Sequence, residues 1–338
     1  MSGTAKLLAG DIGGTKTILA LFAETDGDLT PVREETFASR DYASFDLVLA
    51  EARRRVGAIE ADAVCIGVAG PVRDGRCRTT NLPWELDEKD LARELRCSRV
   101  KLLNDLEATA YGMLHLRATD LVTLNEGSAG LGRGHVAVIA AGTGLGQAYL
   151  YWDGETHQPL ASEGGHADFA PRNDLEVELL RYLRAEIGGR VSVERVLSGP
   201  GIHRVYCFLR DTGREREPDW LAAELAAGDP SAVISRSVGQ RGETICSATL
   251  ELFSELYGAE AGNMALRALT YGGVYVGGGI APKNLAVLSN GSFLRGFTDK
   301  GQFSGLLRSL PVRVSLDPGT ALLGSAQYAR RLARASRG

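Results

Sequence analysis

The sequence has few residues that suit a disulfide framework or a zinc site. Its 338 residues contain five cysteines, which are odd in number and widely spaced, with no CxxC pair and no histidine near them at zinc-finger spacing. Cysteines in this number and spacing are typical of cytosolic proteins, whose thiols stay reduced. They are Cys65, Cys77, Cys97, Cys207 and Cys246.

The sequence also lacks a long apolar run and a strong charge of one sign. No run reaches about 18 apolar residues, and the amino-terminal stretch shows no small-residue cleavage site, so we expect a soluble, cytoplasmic protein without a membrane partner. The formal net charge is −4, and the lysines and arginines are scattered along the chain. No nucleic-acid partner is therefore expected.

What is present is alternation of strand-like and helix-like stretches. The hydrophobic content of 44% over this length favours two domains. Apolar runs predict strands at 7–11, 17–22, 63–70, 100–103, 135–142, 147–153 and 272–279, and helical periodicity predicts helices at 44–57, 87–96 and 174–187, with several more across 201–271. The pattern indicates two α/β units.

The stretch DIGGTK joins the first two predicted strands. Gly13, Gly14 and Thr15 must form a tight turn, whose backbone N–H groups can converge on an anion. Asp11 is placed to hold Mg²⁺ through water, and Lys16 to offset phosphate charge. Taken alone, an ordinary glycine hairpin is an equally good interpretation.

Two later glycine-rich stretches repeat this design. Gly142, Thr143 and Gly144 lie in GTGLG between the predicted strands at 135–142 and 147–153. The run Gly277-Gly278-Gly279 follows another strand and precedes a helix predicted to begin at Pro282, since proline favours the first helical position. Two glycine hairpins can hold a phosphate chain, and the third stretch can pass beneath a nucleotide base.

The stretch KLLNDLEA has two compatible interpretations. Asn104 or Asp105 can cap a helix beginning at Leu106, with Glu107 completing a capping box. Alternatively, Asp105 is a general base that accepts a proton from a substrate hydroxyl, and Asn104 hydrogen-bonds a neighbouring hydroxyl.

Three further side chains suit a substrate rich in hydroxyl groups. Glu163 and His166 bracket two glycines in SEGGHADF, and Glu194 precedes a Gly-Pro-Gly turn. The Glu-x-x-His spacing can also hold a metal on a helix, although two glycines disfavour a helix there. A structural histidine and a surface glutamate are the plainer alternatives.

In this order, these segments resemble the bacterial glucokinases that lack the repressor-type zinc motif, members of the actin, hexokinase and heat-shock chaperone ATPase superfamily. DIGGTK, GTGLG and GGVYVGGGI resemble the two phosphate loops and the adenosine loop. TNLPW (80–84), LNDLEA, SEGGHADFAP and ERVLSGPG resemble the sugar-binding segments, and the resemblance covers residues 7–329.

The resemblance implies an α/β, two-domain actin-like ATPase (ribonuclease H-like) fold with an interdomain cleft. The smaller domain would comprise residues 1–115 and 311–338, and the larger 116–310. It also implies ATP-dependent phosphorylation of glucose at the 6-hydroxyl, with Asp105 as catalytic base, with ATP and Mg²⁺ bound at the glycine loops, and with a homodimer. Asn104, Asp105, Glu163, His166 and Glu194 would bind the sugar.

Two alternatives remain at this stage. A kinase for another hexose or amino sugar would share every phosphate-binding feature. An actin- or chaperone-like nucleotide switch would need the glycine loops but not the sugar-binding set. A transcriptional regulator would carry a helix-turn-helix domain, for which the sequence before the first strand offers no room.

Overall fold

The computed structural model describes residues 5–25, 28–128, 133–241 and 244–335. The described residues form two compact units. The first comprises Met1–Arg117, His157–Ala161 and Asp317–Gly338, and the second Ala118–Thr156 and Ser162–Leu316. The domain assignment made from the sequence, with a function for each domain, stays a prediction.

The strands are numbered in chain order. They are β1 (Ala5–Ile12), β2 (Lys16–Thr25), β3 (Asp28–Ala38), β4 (Ala63–Val68), β5 (Val72–Arg73), β6 (Arg76–Arg78), β7 (Glu85–Asp87), β8 (Val100–Asn104), β9 (Leu121–Asn125), β10 (Val136–Ala141), β11 (Leu145–Trp152), β12 (His157–Ser162), β13 (Gly273–Gly277) and β14 (Val312–Ser315).

The α-helices are numbered in the same way. They are α1 (Phe45–Val56), α2 (Glu88–Glu94), α3 (Asp105–Met113), α4 (Asp174–Ile187), α5 (Gly199–Asp211), α6 (Asp219–Ala227), α7 (Pro230–Arg241), α8 (Thr244–Ala268), α9 (Ile280–Lys283), α10 (Leu285–Leu288), α11 (Ser292–Thr298), α12 (Ser304–Ser309) and α13 (Thr320–Arg334). Single turns of 3₁₀ helix include Ser39–Asp41, Gly164–His166 and Val193–Arg195.

The first unit contains a sheet with strand order β3-β2-β1-β4-β8. β1 pairs antiparallel with β2 and parallel with β4, which pairs parallel with β8. Alternate residues of β1 enter different cores: Leu8 packs with Val48 and Leu49 of α1, whereas Leu7 packs with Ala326 of α13. Because helices cover both faces, β4 is buried along its whole length.

The second unit repeats this pattern with different residues. Its strands follow the order β11-β10-β13-β14-β9. β10 pairs antiparallel with β11 and parallel with β13, and β13 pairs parallel with β14. In each unit a glycine turn therefore follows the first strand of an antiparallel hairpin, at the edge where the parallel strands end. The repeated α/β layers agree with the expectation from the sequence.

Some elements differ from the sequence-based expectations. The largely exposed strand β3 and the small antiparallel sheet β5-β6-β7 were not predicted. All five cysteines are free thiols, and four of them are buried. Within the described ranges, no helix is both long enough and apolar enough to cross a membrane.

Candidate active site

The first glycine turn lies at the end of β1, in the first unit. The N–H of Gly13 donates to the carbonyl of Lys16 at 2.9 Å, closing the turn. A Cβ on Gly14 would lie 2.8 Å from the Cβ of Asn81, so this close approach requires glycine. Thr15 and Lys16 are exposed. The turn is thus both a hairpin and a surface that presents backbone groups.

Asp11 stands beside this turn as a half-buried carboxylate. Burial raises its pKa, and the nearby Lys16 acts in the opposite direction. A carboxylate that has lost hydration is stabilised by a cation, and carboxylate oxygen is a preferred Mg²⁺ ligand. In the part of the chain that the structure describes, no cluster of three or more metal-binding side chains is present. A half-buried carboxylate beside the turn is chemically suited to a cation such as Mg²⁺.

Asn104 and Asp105 lie where β8 meets α3. The helix begins at Asp105, one residue earlier than expected, and Asn104 is its N-cap. The Asn104 Oδ1 accepts the N–H of Leu106 at 2.9 Å, and the Glu107 carboxylate accepts the N–H of Asn104 at 2.9 Å. The predicted capping box is confirmed.

The cap is anchored to a second segment of the first unit. Asn104 Nδ2 donates to the carbonyl of Gly70 at 3.0 Å, and burial raises the pKa of Glu107. The partly buried Asp105 follows directly, and its Oδ1 accepts the Leu106 N–H at 2.9 Å. The carboxylate thus projects from a helix N-terminus, where negative charge is favoured.

The second glycine turn, between β10 and β11, lies in the second unit. Gly142 N–H donates to the Gly144 carbonyl, and Gly199 N–H donates to the Gly142 carbonyl, both at 2.8 Å. Leu145 N–H donates to Glu194 Oε2 at 3.0 Å. Thr143 is exposed at the tip. A residue predicted to bind sugar thereby holds the backbone of a predicted phosphate loop.

The Gly277-Gly278-Gly279 run lies next to this turn, because Ala140 of β10 pairs with Gly277 of β13. Gly278 has a φ of +78°, and a Cβ there would lie 2.3 Å from the Ala141 carbonyl. Only glycine suits that position.

The prediction that a helix begins at Pro282 was wrong. The helix α9 begins at Ile280, and Gly279 precedes it. Proline is accepted at the third helical position because N–H groups of the first turn have no partner within the helix.

Glu163, His166 and Glu194 come together in the second unit. His166 Nε2 lies 3.9 Å from Glu163 Oε2, and His166 Nδ1 lies 4.0 Å from Glu194 Oε1. The side chains of Glu163 and His166 are 71% and 60% exposed, which leaves them available to a ligand. One imidazole lies between two carboxylates.

The local backbone explains why these side chains meet. Gly164–His166 forms one turn of 3₁₀ helix, although the two glycines were expected to disfavour helix. A Cβ on Gly165 would lie 2.1 Å from the Leu145 carbonyl, so the turn packs directly on β11. The N–H of Val193 donates to the Ala167 carbonyl at 2.8 Å, which brings Glu194 beside His166.

Tyr257 is a supporting residue that the sequence analysis missed. Its buried hydroxyl accepts the N–H of Ala141 at 3.0 Å and lies 3.4 Å from the Gly277 carbonyl. It therefore fixes the ends of β10 and β13, from which both glycine segments of the second unit extend. No local signal marks it, since it lies within α8, far along the chain.

Comparison with known proteins decides the family. The glucokinase family model matches residues 8–332. A glucokinase of Trichormus variabilis is 44% identical over 343 residues, which cover 96% of this chain and 99% of the relative. A glucokinase of Caulobacter vibrioides is 37% identical, covering 94% and 93% of the two chains. This chain belongs to the glucokinase family.

Solved structures agree on the fold. A glucokinase from an Antarctic psychrotroph has a TM-score of 0.84 at 30% identity, covering 97% of this chain and 99% of the other. A ROK family glucokinase from Streptomyces griseus, solved with glucose and AMPPNP, has a TM-score of 0.63 at 23% identity, covering 96% and 99%; it supports the fold alone. The fold is the actin-like ATPase fold implied by the resemblance.

The family also fixes the reaction. The chain is an enzyme that phosphorylates glucose with ATP as the phosphoryl donor. The nucleotide-switch alternative is therefore wrong.

Proposed function

We propose that Asp105 is the general base that accepts the proton of the glucose 6-hydroxyl as the terminal phosphoryl group of ATP is transferred to it. The observation that carries this proposal is the construction of the α3 terminus. The Asn104 side chain accepts the N–H of Leu106 and donates to the carbonyl of Gly70. These two hydrogen bonds fix the backbone from which the Asp105 side chain projects. A base that is held in place also orients the attacking hydroxyl.

Asn104, Glu163, His166 and Glu194 would bind the remaining sugar hydroxyls. Each hydroxyl donates one hydrogen bond and accepts others, so carboxylates, an amide and an imidazole complement it. The Asn104 Nδ2 keeps one hydrogen after donating to Gly70. The cluster of Glu163, His166 and Glu194 supports this role, because two acceptors flank a group that can donate or accept.

The glycine segments would hold ATP. Gly13, Gly14, Thr15 and Lys16 on the first unit, and Gly142, Thr143 and Gly144 on the second, would contact phosphate, with Gly277, Gly278 and Gly279 beneath the adenosine. Asp11 would hold Mg²⁺ through water, and the ion would neutralise charge on the phosphate oxygens. Burial raises the pKa of the half-buried Asp11 carboxyl, and a cation beside the carboxylate would offset that loss of hydration.

The test is Asp105→Ala against a matched control in the same protein. Asp174 is likewise the first residue of a helix, follows an N-cap asparagine and precedes a glutamate two positions on. Asp174→Ala therefore reproduces the loss of a first-turn carboxylate without touching the proposed site. We expect Asp105→Ala to lower kcat by about 10²- to 10⁴-fold, and Asp174→Ala to leave kcat unchanged.

Both variants are assayed for ADP release with glucose and for thermal unfolding. The two should lose similar, small amounts of stability, because each removes one charge near a helix N-terminus. An Asp105→Ala enzyme with kcat within tenfold of the parent would rule out the general-base role. Mannose, fructose and N-acetylglucosamine, assayed in parallel, define selectivity among sugars.

We also propose a homodimer in the cytoplasm. The free cysteines support a reducing compartment, and the family resemblance supports the dimer. Light scattering of the purified protein at micromolar concentration tests the dimer: a monomer mass would contradict it.

A further inference from the structure

We infer that Ser39 is a positioning residue, which orients the backbone of the first glycine turn for the phosphates of ATP. The inference rests on the proposed role of that turn. Ser39 lies 24 residues beyond Thr15 in the sequence and begins a single 3₁₀ turn after β3. It makes two hydrogen bonds to the turn and one to Thr17 of β2.

Ser39 binds the glycine hairpin at three points. Its hydroxyl donates to the Gly13 carbonyl at 2.8 Å and lies 2.9 Å from the hydroxyl of Thr17. Its backbone N–H donates to the Thr15 carbonyl at 3.0 Å. Ser39 and Thr17 are both fully buried. Water therefore has no access to replace these bonds when one of them is removed.

The consequence for the ligand follows from peptide geometry. In a trans peptide the C=O and the next N–H point in opposite directions. Since the Gly13 and Thr15 carbonyls point at Ser39, the N–H groups of Gly14 and Lys16 point away from it. Gly14 N–H has no intramolecular acceptor among the residues that the structure describes. A phosphate oxygen is the kind of acceptor that such a group takes.

Glycine makes this restraint necessary. Gly13 and Gly14 are adjacent, and a glycine pair samples more backbone conformations than any other pair. Without a restraint, the intervening peptide plane rotates, and its N–H reaches the binding orientation only part of the time. The apparent affinity falls in proportion to that fraction. Ser39 thus preorganises the turn without touching the ligand.

Ser39→Ala tests this, with Thr17→Val as matched control. Thr17→Val removes the other buried hydroxyl of the same pair but keeps the bond from Ser39 to the Gly13 carbonyl. We expect Ser39→Ala to raise KM for ATP about tenfold and to leave KM for glucose within twofold. Thr17→Val should lower the thermal midpoint comparably, with KM for ATP within about twofold of the parent.

Equal changes in KM for ATP in the two variants would overturn the inference, because a merely structural role predicts them. Equal changes in KM for ATP and for glucose in Ser39→Ala would also overturn it. If Ser39→Ala does not fold, Ser39→Cys retains a weak donor of similar shape. It should raise KM for ATP by an intermediate factor, and an unchanged value would refute the role.

Failure of the proposed function is recognised separately. Asp105→Ala with kcat within tenfold of the parent would contradict the proposed general base, whereas calorimetric titration with ATP would still measure the effect of Ser39→Ala on binding. An unchanged affinity for ATP in Ser39→Ala, together with the expected loss of kcat in Asp105→Ala, would overturn the Ser39 inference alone.

Discussion

Alanine at Gly144 should weaken glucose binding, although Gly144 belongs to the proposed phosphate loop of the second unit. A Cβ at this position would lie 2.5 Å from Glu194 Oε2. Carboxylate and methyl group must separate to ordinary contact, a shift of about 1 Å. The Leu145 N–H now donates to that oxygen at 3.0 Å, so the shift breaks the bond. Glu194 then leaves its position beside His166.

The magnitude follows from the bond that is lost. A hydrogen bond to a charged group contributes about 1.5–3 kcal/mol, and the lower end applies here because the Glu194 side chain is 28% exposed. About 1.5 kcal/mol corresponds to roughly tenfold in affinity. We therefore expect Gly144→Ala to raise KM for glucose about tenfold, in addition to any effect on ATP.

Gly142→Ala is the control in the same turn. A Cβ there meets no protein atom within 4 Å, and neither glycine has a positive φ. Both variants gain the same chain-entropy stabilisation from alanine, which cancels in the comparison. Gly142→Ala should change KM for ATP and leave KM for glucose unchanged.

The assay is steady-state kinetics with each substrate varied, together with a double-mutant cycle of unfolding free energies. Glu194→Ala makes room for the new methyl group, so the cost of Gly144→Ala should disappear in that background, with a coupling of about 1 kcal/mol or more. Gly144→Ala with a KM for glucose no higher than that of Gly142→Ala would refute the reasoning.

Two further predictions concern the supporting structure. Tyr257→Phe leaves the buried N–H at the end of β10 without its acceptor, and should destabilise the protein by about 1–3 kcal/mol and raise KM for ATP, as measured by urea unfolding and kinetics. Burial lowers the pKa of His115 to about 4. The unfolded chain therefore binds the proton first as pH falls from about 6.5, and stability should fall by roughly 2–3 kcal/mol towards pH 4. His115→Gln should remove that part of the pH dependence, and an unchanged slope would contradict it.

Local patterns were enough to predict the hairpins and the helix cap. The Asn104 cap depends on residues two and three positions away. A turn with two glycines between apolar runs can be recognised from about ten consecutive residues. Such features are encoded in neighbouring residues, so the sequence shows them without knowledge of the fold.

The edge strand β3 could not be predicted in this way. It pairs with β2 but is mostly exposed, so its side chains show no alternation between apolar and polar. It also contains Pro31, at the point where the pairing register shifts. Proline, which has no backbone N–H, is tolerated there because an irregular edge strand does not need every N–H to donate a hydrogen bond to its neighbour. In the sequence the same residue argues against a strand.

Ser39 and Tyr257 could not be predicted for a different reason. Ser39 acts on Gly13 across 26 residues, and Tyr257 acts on Ala141 across 116 residues. Each acts through one buried hydroxyl that hydrogen-bonds backbone groups, and every residue type has the same backbone groups, so the sequence does not show which ones will be bonded. The chemistry of Glu163, His166 and Glu194 and the family resemblance both suggested the proposed sugar-binding cluster. The proximity of its side chains depends on a backbone contact between the segments around Ala167 and Val193.

The glycines of the candidate site fall into two classes, which cannot be distinguished from the sequence. Gly165 and Gly278 lie so close to backbone carbonyls that folding itself excludes a side chain. Gly142 and Gly279 face open space and have ordinary φ values, so folding does not require glycine there. A ligand that approaches the backbone supplies a reason for glycine at the second class. Alanine at Gly142 therefore reports contact with nucleotide, whereas alanine at Gly165 would report only packing.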